Sequence, residues 1–196
     1  MLLYRTMHSW HWISAAICLA GLLLFCITGI TLNHANAIGA SPQVVKRDVP
    51  LPEALRPVLA SGHAGAALPD ALADWIEDQL DIDTDGASVE WSPEELYVSA
   101  PGPGRDAWVM FDREKSTVTS EITDRGWVAY FNDLHKGRNT GVVWTIFIDV
   151  VAAACVFFSL TGLVLLWIQA RQRTSTWPLV SLGVAVLVVL MILFAH

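Results

Sequence analysis

Three blocks of this chain are too apolar to be hidden inside so small a soluble core. Residues 12–32 carry no charge, residues 142–169 carry only Asp149, and residues 179–195 carry none. A helix advances ~1.5 Å per residue, so about 20 residues cross a hydrocarbon layer of roughly 30 Å. The first two blocks meet that length, and the third, shorter, can still span. Three transmembrane helices in 196 residues leave room for one modest domain, between the first and second.

The first block could be read as a signal peptide, because Arg5 precedes it and Ala35–Ala37 resembles a cleavage site. Its apolar run exceeds the roughly 7–15 residues of a signal core, so a retained anchor is expected. Arg5, Arg171 and Arg173 flank the blocks on one side with no Asp or Glu beside them. Positive residues favour the cytoplasm, which places the N-terminus and the 170–178 loop there and residues 35–141 and the C-terminus outside. The outer region holds 18 Asp and Glu against nine Lys and Arg. Such a balance argues against a nucleic-acid partner and suits a solvated surface. Cys18, Cys26 and Cys155 all lie in the spans, so neither a disulfide framework nor a CxxC metal site is expected.

Residues 35–68 are rich in Pro, Gly and Ala and read as a linker, with at most a turn of helix near Glu53–Ala60. Leu72, Trp75, Ile76 and Leu80 recur at helical spacing after the start signals Pro69 and Asp70. Three alternating stretches, "ASVEWSPEELYVSA", "AWVMFDRE" and "STVTSEIT", predict three antiparallel strands. Residues 69–125 therefore form a small α+β unit. Trp127, Tyr130, Phe131 and Leu134 describe a surface helix over 126–137 whose aromatics dip into the membrane, ended by Gly137. Asn139 or Thr140 can cap the second span, over 141–169, and the third covers 179–196. The spans also align without gaps, Thr28-Gly29 against Thr161-Gly162, which suggests an inverted duplication or small residues that let helices approach.

Five of the six histidines lie near a membrane boundary: His8, His11, His34, His135 and His196. His11 and His34 are ~34 Å apart along one helix and belong to opposite faces. His34 leaves the first span where His135 enters the second, so packed helices would bring both imidazoles to one depth. Facing imidazoles in an apolar bundle suit the axial positions of haem iron, with Lys136 and Arg138 as cations for the propionates. His196 could add a ligand to this outer group. Zinc or copper would want Cys, Met or carboxylate partners, and none cluster with these histidines. At the inner face His8 and His11 stand i, i+3 with no counterpart on the second span. Asp149 reads either as a proton or cation relay or as a hydrogen-bonded group tied to a neighbouring Ser or Thr, or to Arg138.

"MHSWHWISAAICLAGLLLFCITGITLNHA", "NDLHKGRNTG" and "SLTGLVLLW" resemble the PepSY-associated transmembrane helix family, and the outer unit resembles a divergent PepSY domain. The larger relatives include bacterial inner-membrane ferric-siderophore reductases with b-type haem between their spans. The resemblance implies haem ligands at His34 and His135, with His8 matching the family's inner-face histidine. Three spans and a single outer domain, about half a reductase, favour one haem b over two.

The leading expectation is a haem-b protein of the bacterial inner membrane that relays electrons outward, as a metal or ferric-chelate reductase or a redox subunit of a larger complex. No flavin or nicotinamide fingerprint is present, so its electrons come from a quinone, another membrane subunit or a soluble partner. The alternative is a non-redox accessory or assembly subunit that grips a partner through its periplasmic domain. No HExxH or nucleophile motif supports hydrolysis.

Overall fold

The computed structural model describes residues 2–39 and 41–194. Its helices are α1 (Leu2–Asn33), α2 (Arg56–Ser61), α3 (Asp70–Leu80), α4 (Gly126–Lys136), α5 (Val142–Gln169) and α6 (Thr176–Phe194), and its strands β1 (Gln43–Pro50), β2 (Ser88–Trp91), β3 (Glu95–Ser99), β4 (Arg105–Asp112) and β5 (Thr117–Asp124). The chain divides into a unit made of the residues up to Leu24 and from Ile146 onward, and a unit spanning Phe25–Thr145.

In the first unit the three helices α1, α5 and α6 are long and apolar enough to cross a membrane. Their exposed leucines, isoleucines and valines would be untenable in water, which makes this a multi-pass membrane protein. Along α1 the residues His11, Ser14, Cys18 and Gly21 follow a 3-4-3 spacing, and Ser14 and Cys18 are buried. Gly21 meets Val151, whose methyl groups lie within 2.8 Å of where a Cβ would stand, so only glycine allows this approach. Beyond buried Thr176, α6 exposes nearly its whole length.

In the second unit an antiparallel sheet of order β1-β5-β4-β3-β2 carries α3 on one face. Strand alternation sends Leu96, Val98, Ala107, Val109, Phe111 and Val118 into the core, where they meet Leu72, Ile76 and Leu80 of the amphipathic helix. Helix α3 matches the predicted spacing, and Asp81 ends it in the left-handed region. Two expectations need correction. The predicted first strand is a hairpin: the Ser92 hydroxyl accepts the Glu95 amide at 2.9 Å, and Pro93 has no N–H to continue a ladder. The presumed linker contains an eight-residue strand, β1, paired along its length with β5. Its sequence, QVVKRDVP, lacks a two-residue period because β1 is a solvated edge held by the ladder and by polar pairs rather than by core burial. Lys46 reaches Glu121 at 2.9 Å and Asp48 accepts from Thr119 at 2.7 Å. The short helix expected near Glu53–Ala60 is present as a 3-10 turn, Glu53–Leu55, followed by α2.

Helix α4 begins at Gly126 and ends at Gly137, whose φ of 65° makes the left-handed cap that the sequence foretold. Its aromatics Trp127, Tyr130 and Phe131 stay exposed, Trp127 stacked on Phe131 and Tyr130 edge-on to both, while Asn132 and Asp133 face inward and are buried. The Thr140 hydroxyl turns back to the Gly137 carbonyl at 3.0 Å instead of capping α5, and α5 starts at Val142. The third span starts at Thr176, three residues before its predicted position.

Gly104 combines a φ of 66° with a would-be Cβ only 2.7 Å from the Tyr130 backbone. Gly104→Ala is therefore expected to cost about 2–4 kcal/mol of outer-unit stability. Gly86→Ala has a φ of 71° but open space, and its cost is expected to be about 1 kcal/mol. Denaturant unfolding monitored by circular dichroism ranks the two. The hydrogen bond from Lys46 holds Glu121 below its ordinary value, so the contribution is present above the ordinary Glu range and lost as pH falls below it. Protection of β1 amides from hydrogen exchange should decline before that of β4 as pH drops under about 4.

Candidate functional site

The last turn of α4 lays His135 against α1. Its Nδ1 lies 2.7 Å from Thr28 Oγ1, and its ring meets Phe25 edge-on at 5.4 Å between centroids. Gly29 lies beside the ring, where a Cβ would stand in ordinary contact, 3.4 Å from His135 Cε1. One turn later on α1 and one turn earlier on α4, Thr31 donates to Asn132 Oδ1 at 3.0 Å, so two polar pairs dock α4 on α1. On its other side α4 is pinned to the sheet by Asp133. That buried carboxylate accepts the Gly104 amide at 2.9 Å and Arg125 Nη2 at 2.8 Å. Arg125 Nε lies 3.1 Å from Asp106, so one guanidinium joins two carboxylates. Trp144 Nε1 donates to the Leu134 carbonyl at 2.9 Å and ties the start of α5 to α4.

His34, the other expected outer ligand, is exposed and bonds its own helix, Nδ1 to the Ile30 carbonyl at 2.9 Å. It stands six residues beyond Thr28, which on a helix is ~9 Å further along and about 120° away around the axis. The two outer imidazoles therefore do not converge, and a single iron shared by His34 and His135 does not fit this arrangement. The sequence could not register which face of α1 receives His135, nor how far along it. Lys136 and Arg138 are exposed and border a hollow of about 380 Å³ with Arg125, Asp133 and Leu32. His196 lies outside the described residues.

His11 occupies the seam in the membrane unit. Its Nδ1 is 3.1 Å from both the Phe158 carbonyl and Thr161 Oγ1, and its ring stacks on Phe158 at 4.4 Å. A carbonyl oxygen only accepts, so Nδ1 carries the hydrogen and Nε2 keeps its lone pair. Thr161 donates its own proton to the Phe158 carbonyl at 2.9 Å, leaving its oxygen to receive the imidazole. A groove of about 450 Å³ runs beside the ring, lined by Ser159, Gly162, Leu163 and Leu166. His8, the resemblance's inner-face ligand, is exposed and tilts against Tyr4 at 6.0 Å. Thr28, Thr161, Phe25 and Phe158 were not singled out as partners of these histidines in the sequence. The signal was the repeated Thr-Gly pair, which reads equally well as helix packing.

Among the described residues no group of three or more His, Cys, Asp and Glu could hold a metal ion. Asp149 is exposed on α5, and among the described residues of its own unit no hydrogen bond or ion pair reaches it. Asp149→Asn is accordingly expected not to destabilise the isolated chain in detergent. A loss of more than about 1 kcal/mol in thermal unfolding would reveal a partner within the chain.

No curated protein and no solved structure matches this chain. The family described as "Putative PepSY_TM-like" matches it over residues 2–196, spanning all three apolar helices and the sheet between them. With the match covering essentially the whole sequence, the chain belongs to that family.

Proposed function

We propose that this protein is a haem-b-binding electron-transfer protein of the bacterial inner membrane, acting as a metal or ferric-chelate reductase or as a redox subunit of a larger complex. The observation that carries the reading is His11: an imidazole within a membrane bundle, with Nδ1–H committed to a carbonyl and a hydroxyl, beside an apolar groove of about 450 Å³. Axial and metal-binding histidines are oriented in this way by an acceptor on the far ring nitrogen, which fixes the tautomer and raises the basicity of the other. The groove volume falls within the roughly 300–1,000 Å³ of small-molecule sites. When bound, haem would supply a one-electron carrier whose potential follows ligation and burial. His11 would hold it, Phe158 would keep the ring from turning, and Leu163 and Leu166 would exclude water. His135 is the second ligand candidate, in its own surroundings, with Lys136 and Arg138 near in sequence for carboxylate groups.

The non-redox reading, an accessory subunit, draws on the exposed apolar face of α6, which would suit docking against another membrane subunit. A reduced-minus-oxidised spectrum of purified protein separates the two. A dithionite-reducible b-type signal is expected, lost in His11→Ala and retained in His34→Ala. Protein purified from haem-replete cells without any such signal would overturn the haem reading and leave the accessory one.

A further inference from the structure

Two stretches 133 positions apart, "FCITG" at 25–29 and "FSLTG" at 158–162, each receive a histidine through the same three residue types. In the first, His135 touches Phe25, Thr28 and Gly29. In the second, His11 touches Phe158, Thr161 and Gly162, whose Cβ would stand 3.1 Å from His11 Cε1. Phenylalanine, threonine and glycine recur at the same offsets, and in both the imidazole Nδ1 meets the threonine hydroxyl, although the ring lies edge-on to Phe25 and stacks on Phe158. The histidines themselves come from unrelated positions: His11 lies 14 residues before Phe25, whereas His135 lies 23 before Phe158. A chance alignment of apolar residues gives no reason for an imidazole Nδ1 to meet the threonine hydroxyl in both.

We infer that Phe-x-x-Thr-Gly is a duplicated imidazole receptor, and that Thr28 and Thr161 are positioning residues that hold His135 and His11 with the hydrogen on Nδ1 and the lone pair on Nε2. The chemistry follows from the helix. A threonine in a helix can pass its hydroxyl proton to a carbonyl three or four residues back, as Thr28 does to Phe25 at 3.4 Å and Thr161 to Phe157 and Phe158 at 3.0 and 2.9 Å. The hydroxyl oxygen is then an acceptor only, and it faces Nδ1. Glycine one residue later lets the ring lie close to the helix, and phenylalanine one turn earlier limits its rotation. For His11 the Phe158 carbonyl enforces the tautomer independently; for His135 the assignment rests on Thr28 alone. As a device for presenting Nε2 to a ligand, the receptor rests on the haem reading; as a tautomer lock, it does not.

The test is nitrogen NMR of the full chain in detergent, with ¹⁵N-labelled histidine and each ring assigned by its His→Gln variant, at about pH 8 where imidazoles are uncharged. His11 and His135 are expected to give an unprotonated Nε2 shift. Thr28→Val should convert His135 alone to a tautomer mixture, and Thr161→Val should perturb His11 less because the Phe158 carbonyl remains. Thr28→Ser, which keeps the hydroxyl, should restore the His135 signal. A protonated Nε2 at His135 in the unaltered chain, or an unchanged His135 shift in a folded Thr28→Val, overturns the inference. The same samples carry the redox spectrum. A correct tautomer pattern without haem would sink the proposed function and spare the receptor, and haem with the wrong tautomer would do the reverse.

Discussion

An imidazole placed among apolar helices keeps its place only if its N–H finds an acceptor, because bulk water is not there to supply one. His11 meets that demand twice over, at the Phe158 carbonyl and the Thr161 hydroxyl. The acceptors come from a helix whose own carbonyls are already bonded in its ladder, so the second bond uses a lone pair that the helix leaves over. This is why a threonine and a carbonyl of the preceding turn form a ready-made seat, and why glycine suits the next position: a Cβ at Gly162 would stand 3.1 Å from the His11 ring. Interhelical bonds of this kind typically contribute ~0.6–2 kcal/mol, enough to fix register between two otherwise interchangeable apolar surfaces.

Helix α4 plays the corresponding part in the outer unit. Polar on the buried face and aromatic on the exposed one, it inverts the usual soluble pattern. Asp133 joins it to the Gly104 turn and Arg125, while Asn132 and His135 join it to α1. A buried carboxylate with an amide, a guanidinium and a second carboxylate beyond it is stable only as a complete set. Position rather than hydrophobic burial is what this network supplies, and Trp127, Tyr130 and Phe131 are left exposed.

Much of the architecture could be read from residue order because each signal was local. Uncharged runs declared the spans, and Leu72, Trp75, Ile76 and Leu80 declared α3 by period alone. Gly137 declared the end of α4, since a left-handed cap needs little context. Strand β1 escaped because "QVVKRDVP" is stabilised by its ladder to β5, some 70 residues away, and an edge strand buries too little to imprint an alternation. The hairpin of β2 and β3 escaped because Ser92, rather than Gly or Asn, supplies the turn. For the histidines, a place near a helix end was legible and orientation was not. His34 and His135 do lie at neighbouring helix ends, yet one ring turns to its own backbone and the other to Thr28.

The order of residues alone therefore determined that the chain enters the membrane as three helices, that an acidic α+β unit separates the first two, and that histidines concentrate at the boundaries. These follow from transfer free energies and short-range periodicity, which are properties of neighbouring residues. Tertiary structure decided which imidazole meets which helix, which nitrogen keeps its lone pair, and that Thr28-Gly29 and Thr161-Gly162 are seats rather than spacers. Those outcomes depend on the rotation of one helix against another, a quantity set by packing between residues more than a hundred positions apart and absent from any local window.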